Sequence, residues 1–220
     1  MNTENDIVRL FGELRYSNGS VYLGEYINNK PDGQGKLSHP DGVVFEGIFK
    51  DGHIHGQGKS VTPSGATYVG EFVNGIIHGQ GRRVSSDGQV YEGMFSQGKR
   101  HGKGKLALSD GSVYEGEFSN GYMNGYGIYT WADGFKYEGD YVNGIRQGKG
   151  KTTALDGTVD EGDMVNGKMH GYGKRSMPGG ICYYGAFANG VPHGRGKIVF
   201  QDGKIHEDEF VEGRPKNKIE

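Results

Sequence analysis

The sequence lacks three features that would place it in a common class of protein: a pair of cysteines, a long apolar run and a large net charge. Its single cysteine, Cys182, excludes an internal disulfide and favours a reducing compartment. No segment approaches the ~18 apolar residues of a membrane-spanning helix, and the opening MNTENDIVRLFG lacks the apolar run of a signal peptide. The net charge of −2 provides no general attraction to nucleic acid or to an anionic membrane. We therefore expect a cytoplasmic protein that does not bind nucleic acid.

Apolar residues are also scarce, at 33% of the chain. Such a composition is common in disordered chains, but those chains are poor in aromatic residues. Here 14 tyrosines and 10 phenylalanines are present. The combination predicts an ordered but thin structure without a thick core.

Glycine is abundant, with 43 copies, and its placement follows a repeat. If the repeat is numbered 1 to 23 from its first aromatic residue, every glycine except Gly179 falls at position 3, 8, 12, 14 or 21. Glycine placed so regularly specifies a structure and excludes a flexible linker. The 23-residue repeats begin at Tyr22, Phe45, Tyr68, Tyr91, Tyr114, Tyr137, Asp160, Tyr183 and His206.

Each repeat carries two turn signals. Asn-Gly stands at positions 7 and 8, as in Asn74-Gly75, and Asp-Gly stands at positions 20 and 21, as in Asp41-Gly42. Both dipeptides favour hairpins, because glycine reaches a positive φ without steric cost. The segments between them alternate as strands do, and none has a helical period. Each repeat is therefore predicted to be a hairpin, and the chain an antiparallel meander of about 18 strands.

Charge predicts the register of these strands. Position 2 is mostly acidic and position 15 mostly basic, and a three-residue loop over positions 19 to 21 sets position 15 opposite position 2 of the next repeat. Such a loop places Lys36 opposite Glu46, whereas a two-residue loop would place these charges opposite glycines. We therefore predict the three-residue loop.

The same register sorts the two sides of the sheet. In YEGEFSNGYMNGYG, which begins at Tyr114, the rings of Tyr114 and Phe118 share one side with glycines, and Gly125 is expected opposite Phe118. Glu115 lies on the other side. Aromatic cover of strand glycines is a known stabilising device. The sequence thus predicts a thin core of rings stacked on bare glycine backbone.

These residues resemble the MORN repeat, whose pattern is Tyr-x-Gly-x-aromatic, then x-x-Gly-x-x-His-Gly-x-Gly, then Asp-Gly. The repeat at Tyr68 matches this pattern with Gly70, Phe72 and His78-Gly79-Gln80-Gly81, followed by Asp87-Gly88. The resemblance covers about residues 11–213 and implies an elongated, twisted, single-layer antiparallel sheet, an all-β fold.

The repeat divides the chain into three parts. Residues 1–21 form an N-terminal cap and half repeat, residues 22–205 form eight repeats, and residues 206–220 form a C-terminal half repeat and polar tail. The repeat at Asp160 departs from the pattern, because Asp160 and Met164 replace both aromatic residues. That repeat is a candidate for a cap, a different twist or a partner contact.

The chain shows no pattern typical of an enzyme, a cofactor site or a metal site. Position 11 carries five histidines, but equivalent loops lie about 10 Å apart, too far for shared coordination of zinc at ~2.0–2.1 Å. A hydrogen-bonding role in the loop is therefore expected. No serine, histidine and aspartate set stands apart from the repeat, and His-Gly-x-Gly leads into a strand instead of the helix that a phosphate loop needs. The five histidines are His55, His78, His101, His170 and His193.

We therefore expect a non-enzymatic scaffold that binds a protein partner, as an extended segment or a helix, along an exposed aromatic side. Trp131 is either a binding hot spot or packs on its own strand neighbours. Self-association as a homodimer is expected through the repeat at Asp160 or through terminal strand edges. The predicted partner-binding residues are Tyr68, Phe72, Tyr91, Phe95, Tyr114, Phe118, Trp131, Tyr137 and Tyr141.

The resemblance also implies locations and an alternative function. Similar arrays occur in cytoskeletal and ciliary scaffolds, so association with the cytoskeleton or a cilium is expected. The alternative is a peripheral module that binds phospholipid or phosphoinositide and tethers the protein to a membrane, with weak contact to anionic lipid through basic clusters. The clusters are Arg82-Arg83, Lys99-Arg100 and residues 214–218.

Overall fold

The computed structural model describes residues 8–218 of the chain, which divides into two compact units, residues 1–109 (unit 1) and residues 110–220 (unit 2). Within residues 8–218 the regular secondary structure is entirely β-strand. The strands of unit 1 are β1 (Leu10–Arg15), β2 (Val21–Ile27), β3 (Lys30–Ser38), β4 (Val44–Lys50), β5 (His53–Val61), β6 (Thr67–Val73), β7 (Ile76–Val84), β8 (Val90–Ser96) and β9 (Lys99–Ala107).

Unit 2 continues the same pattern of shorter and longer strands. In each unit, every strand pairs antiparallel with the strand that follows it in the chain. The predicted all-β antiparallel meander of hairpins is therefore confirmed. The strands of unit 2 are β10 (Val113–Ser119), β11 (Tyr122–Thr130), β12 (Lys136–Val142), β13 (Ile145–Thr153), β14 (Val159–Val165), β15 (Lys168–Met177), β16 (Ile181–Ala188), β17 (Val191–Val199), β18 (Ile205–Val211) and β19 (Arg214–Pro215).

The two turn signals produce two different turns. Asn74 and Gly75 have φ values of 48° and 82°, as a two-residue type I′ hairpin requires. In the other turn, His39 N donates to Val43 O over 2.8 Å, which leaves residues 40–42 as a three-residue loop with Gly42 at φ 87°. The predicted three-residue loop is confirmed.

That loop sets the charges in the expected register. Lys36 lies opposite Glu46 across β3 and β4, and the Arg82 guanidinium lies 2.6 Å from the Glu92 carboxylate across β7 and β8. These pairs are exposed and so contribute little to stability. They identify the side of the sheet that carries positions 2, 4, 13 and 15, which we call the outward side.

The prediction that Gly125 lies opposite Phe118 is wrong. Phe118 pairs with Met123, and Gly125 pairs with Tyr141 on the other neighbouring strand. The hairpin contains a bulge, in which residues 124–126 oppose the single residue Glu117 and Gly125 takes a φ of 95°. Beyond the bulge, Gly116 and Gly127 lie opposite each other. Glycine adopts the φ of Gly125 without the strain that other residues would incur.

The opposite side of the sheet, which we call the ring side, carries the core. Tyr68 is 2% exposed and makes edge-to-face contacts, at 5.1 Å between ring centroids, with both Phe72 and Phe95. Because each ring also packs against the next repeat, the rings bury one another. The predicted thin core of rings on glycine backbone is confirmed.

Candidate functional site

The surface of the ring side depends on what covers a pair of facing glycines in each hairpin. In the hairpin of β10 and β11, Gly116 faces Gly127, and the Tyr114 ring lies directly on this bare backbone. The Tyr114 hydroxyl donates to the Glu117 carbonyl in the bulge over 2.9 Å. The same bond, at 2.7–3.0 Å, is made by Tyr22, Tyr68, Tyr91, Tyr114, Tyr137 and Tyr183.

Two of the eight complete repeats lack this tyrosine and cover their glycines differently. Phe45 stands at position 1 of one repeat, and the Ile54 side chain covers Gly58 in place of a tyrosine ring. Asp160 stands at position 1 of the other, and the Met169 methyl group covers Gly173. The substitute in each case comes from position 10, on the facing strand. The space that a position-1 tyrosine would fill is thus occupied by a side chain from the facing strand.

Each of these two repeats lines a cleft on the ring side. In unit 1, a cleft of about 520 Å³ contains Phe45 and Ile54, and we call it the Phe45 cleft. In unit 2, a cleft of about 510 Å³ contains Asp160 and Met169, and we call it the Asp160 cleft. A missing tyrosine therefore coincides with a concave surface in both units.

The Phe45 cleft is mainly apolar with a polar rim. The His39 ring packs edge-to-face on Phe45, with 5.8 Å between ring centroids, and the His39 Nδ1 atom lies 2.9 Å from the Ser20 hydroxyl. Further apolar lining comes from Tyr16, Pro31 and Leu37, and the rim carries Asn18, Lys30, Asp51 and His53. This arrangement can accept apolar side chains and hydrogen-bond the backbone that carries them.

The Asp160 cleft is charged. Arg175 donates two hydrogen bonds to the Asp160 carboxylate, at 2.7 and 2.8 Å, and a third to the Gly190 carbonyl at 3.1 Å. The hydrogen bonds to Asp160 raise the pKa of Arg175, so the guanidinium stays charged. Arg146 also lines the cleft and lies 5.3 Å from the Tyr137 ring centroid. Fixed charges of both signs can orient a bound polar segment.

Eight of the nine predicted partner-binding residues are buried. Tyr68, Phe72, Tyr91, Phe95, Tyr114, Phe118, Tyr137 and Tyr141 are each 0–3% exposed. The expectation that these rings form an exposed aromatic surface is therefore wrong, because neighbouring rings and glycine backbone cover them. Their contribution to partner binding stays a prediction. Because they are buried, substituting them would primarily change the stability of the core.

Trp131 is the partly exposed member of the predicted set. Its ring packs on Tyr129 and Phe135 of the same hairpin, at centroid distances of 4.3 and 5.0 Å. The Arg146 guanidinium lies 5.6 Å from the Trp131 ring centroid. Packing on its own strand neighbours is thus observed, and Phe135 and Arg146 carry this cluster into the lining of the Asp160 cleft.

Sequence reasoning missed the cleft residues His39, Phe45, Ile54 and Arg146. The signal that could have found them is a departure from the repeat at position 1. The departure at Asp160 marks that repeat as a candidate partner contact, whereas Phe45 fits the aromatic position of the pattern and gives no such signal. Phenylalanine lacks the hydroxyl that anchors the ring to the bulge, so its ring lies elsewhere.

Position 11 hydrogen-bonds to the neighbouring turn at His55 and at Gln147. The His55 Nδ1 atom lies 3.3 Å from the Asn74 side-chain oxygen, and Gln147 accepts from the Asn166 backbone amide at 3.1 Å. Within residues 8–218, no group of three or more His, Cys, Asp or Glu residues is placed to hold a metal ion.

The basic clusters are partly engaged by neighbouring groups. Arg82 is paired with Glu92, and Lys216 lies 2.8 Å from the Glu209 carboxylate. Arg100 lies 5.9 Å from the Tyr91 ring centroid, and burial lowers its pKa. A search of residues 8–218 finds no helix long and apolar enough to cross a membrane.

Comparison with known proteins identifies one family. The MORN repeat model matches the chain eight times, at residues 22–44, 45–67, 68–90, 91–113, 114–136, 137–159, 161–181 and 183–205. No curated protein matches the chain.

Two solved structures are similar to the chain at low sequence identity. The TCP domain of SAS-4 (dCPAP) from Drosophila melanogaster, solved in complex with a proline rich motif of Ana2 (dSTIL), has a TM-score of 0.43 at 9% identity, over 91% of this chain and 90% of that one. The wild-type TCP10 domain of Danio rerio CPAP has a TM-score of 0.38 at 13% identity, over 90% and 93% of the two chains. These values assign no partner to the present chain.

Proposed function

Because the chain belongs to the MORN repeat family, we propose that it is a non-enzymatic scaffold whose ring side binds an extended or helical segment of a protein partner. The observation that carries this proposal is the pair of ring-side clefts at the two complete repeats without a position-1 tyrosine. A regular array would repeat its tyrosine at Phe45 and Asp160 as well. The two departures coincide with concave surfaces on a ring side whose position-1 tyrosines are buried.

The two clefts suit different parts of a partner. The Phe45 cleft, at about 520 Å³, has room for a few apolar side chains, and its rim of amides and charges suits backbone hydrogen bonds. The Asp160 cleft offers the Arg175 and Arg146 guanidinium groups, one paired with Asp160 and one stacked over aromatic rings. Burial of apolar side chains supplies affinity, and the charged groups supply orientation.

Within this proposal the nine predicted partner-binding residues have two roles. The eight buried rings hold the sheet in the shape that forms the clefts. Trp131 contributes a partly exposed ring beside the Asp160 cleft. We further propose a cytoplasmic location in a cytoskeletal or ciliary assembly, which rests on the family resemblance alone.

The test substitutes a cleft residue and a matched residue of the same strand. Phe45→Ser removes a partly exposed ring from the Phe45 cleft, and Ile48→Ser removes an exposed apolar side chain from the outward side of β4. Affinity capture from the native cell, read by mass spectrometry, should lose a specific protein with Phe45→Ser and keep it with Ile48→Ser. Trp131→Ser should weaken capture as well, and raised salt should have little effect.

Two results would contradict the proposal. One is capture that survives both ring-side substitutions. The other is binding to anionic vesicles that falls with salt and with neutralisation of Arg82-Arg83 and residues 214–218, which would favour the lipid-binding alternative.

A further inference from the structure

The outward side of unit 2 carries a row of charges that crosses the strands. In this row positions 2 and 15 face each other, so acidic residues on short strands alternate with basic residues on long strands, as in Lys151, Glu161 and Lys174 on β13, β14 and β15. Two apolar interruptions break the alternation: Ile128 on β11 and Tyr184 on β16. Their spacing has a consequence for how two copies of the chain can meet.

We propose that the outward side of unit 2 binds a second copy of this chain in a two-fold arrangement that stacks β11 of each copy on β16 of the other. The axis runs along the strands, between β13 and β14, in the plane of the interface. It brings Ile128 of one copy onto Tyr184 of the other, twice per dimer. The two apolar interruptions thus cover each other.

From β10 to β17, the same axis pairs each charge of the row with its opposite. Glu138 on β12 meets Lys174 on β15 of the second copy, and Lys151 on β13 meets Glu161 on β14. The outermost acid of the row on β10 meets Lys197 on β17. Each contact occurs twice, because a two-fold interface is self-complementary.

A second, parallel row on the outward side shows the same charge complementarity across the axis. It is formed by positions 4 and 13, and the axis brings Lys149 on β13 onto Asp163 on β14 and Glu117 on β10 onto Arg195 on β17. Asp140 on β12 meets the Tyr172 hydroxyl on β15. This row also brings no two like charges together.

Unit 1 does not share this property. Its row has apolar interruptions at Leu23 on β2 and Val69 on β6, with three strands between them. The axis that would superpose these interruptions passes through β4 and places Lys36 on Lys59 of the second copy. In unit 2, four strands lie between the interruptions. With an even number of intervening strands, the axis passes between an acidic and a basic strand, so each acid of one copy meets a base of the other. Charge complementarity therefore selects unit 2.

The surface around Tyr184 is exposed and slightly concave. Tyr184 is 39% exposed and Tyr172 is 72% exposed, beside a shallow depression lined also by Lys174, Arg195 and Lys197. The Lys174 and Lys197 ammonium groups lie 5.7 and 5.9 Å from the Tyr184 ring centroid. Twisted sheets of the same hand stack face to face with nearly aligned strands, so sheet twist permits this packing.

The test uses substitutions that the folded monomer should tolerate but that should weaken the dimer interface. Tyr184→Glu places an acid between Lys174 and Lys197, as Glu161 lies between two lysines, so the monomer should fold as before. In the dimer, the new carboxylate would oppose Ile128 of the second copy. Val69→Glu is the matched control in unit 1, because Val69 lies between Lys59 and Arg82.

Sedimentation velocity over a concentration series, with the purified full chain, measures the dimer. We expect wild type and Val69→Glu to dimerise equally, and Tyr184→Glu to raise the dissociation constant about tenfold or more. The double variant Ile128→Lys with Tyr184→Glu should recover dimerisation, because the new ammonium and carboxylate groups meet across the interface. Far-UV circular dichroism checks that each variant is folded.

Three results would overturn the proposal: a wild-type chain that stays monomeric at every concentration, equal effects of Val69→Glu and Tyr184→Glu, and no recovery in the double variant. If the double variant fails to fold, the charge exchange Glu138→Lys with Lys174→Glu replaces it. Dimerisation should then fall with either single substitution and return with both.

Discussion

A position-1 tyrosine lies in close contact with its glycine pair. Adding one methyl group to a glycine of this pair should therefore have a large effect on the stability of the protein. A Cβ atom at Gly127 would lie 2.5 Å from Cζ of Tyr114, closer than real Cβ atoms approach other atoms. Gly127 has no positive φ, so alanine at this site meets no backbone penalty and acts through this overlap alone. Gly127→Ala must therefore displace either the Tyr114 ring or the backbone beneath it.

The size of the effect follows from what the ring loses. Tyr114 is fully buried, and burial of a tyrosine removes about 150–250 Å² from water, worth about 4–6 kcal/mol at 25 cal/mol per Å². Loss of its hydrogen bond to the Glu117 carbonyl adds about 1 kcal/mol. A ring that stays in place with a shifted backbone costs about 1–3 kcal/mol. Since the structure takes the cheaper route, we expect about 1–3 kcal/mol of destabilisation for Gly127→Ala.

The matched control is Gly12→Ala. Gly12 has the same repeat position and likewise no positive φ, but its Cβ would lie 3.4 Å from Tyr26 Cε1, which is close to ordinary contact. We expect a change of less than about 0.5 kcal/mol there. The double variant Tyr114→Ala with Gly127→Ala should be no less stable than Tyr114→Ala alone, because the overlap is gone.

Urea unfolding followed by circular dichroism measures these differences, with hydrogen exchange of the β10–β12 amides to localise them. The reasoning is refuted if Gly127→Ala costs less than about 1 kcal/mol. It is also refuted if Gly12→Ala destabilises as much, or if the double variant is additive.

Two further predictions concern charge. Asp160→Ala should destabilise the chain by about 1–3 kcal/mol, because it leaves the half-buried Arg175 without its carboxylate; thermal melting checks this, and failure of Asp160→Ala with Arg175→Ala to recover stability would contradict it. Stability should also fall as pH rises between 10 and 12, because burial raises the pKa of five core tyrosines from 10.0 to about 12 and the folded state keeps protons that the unfolded state releases. Chemical unfolding at a series of alkaline pH values, with tyrosinate absorbance, measures this, and unchanged stability across that range would exclude it. The five tyrosines are Tyr22, Tyr68, Tyr91, Tyr114 and Tyr137.

Much of the fold could be predicted from local features of the sequence. The Asn74-Gly75 and Asp41-Gly42 turns have one favourable geometry each, and the charges of Lys36 and Glu46 fix which residues face each other. Turn conformation and cross-strand pairing depend on residues that are close in sequence or one hairpin apart. The fixed 23-residue period then repeats the same turns and strand pairings along the chain.

The candidate site was less accessible to such reasoning. Whether a ring is exposed depends on neighbours two strands away, as when Phe95 of the next repeat closes over Tyr68. The bulge at Gly125 and the clefts at Phe45 and Asp160 likewise depend on which side chain covers the glycine pair. Several side chains compete for that space, and the repeat pattern does not rank them.

The sequence by itself therefore determined the strand order, the two turns, the register across the three-residue loops and the division of rings and charges between two sides of the sheet. Only the tertiary structure decided which rings stay open to solvent, because exposure is set by the packing of neighbouring repeats on one another. Because eight of the nine predicted partner-binding rings are buried to 0–3%, we propose that binding takes place at the clefts where tyrosine is missing. A contact between repeats is a property of the folded array, and no single repeat contains it.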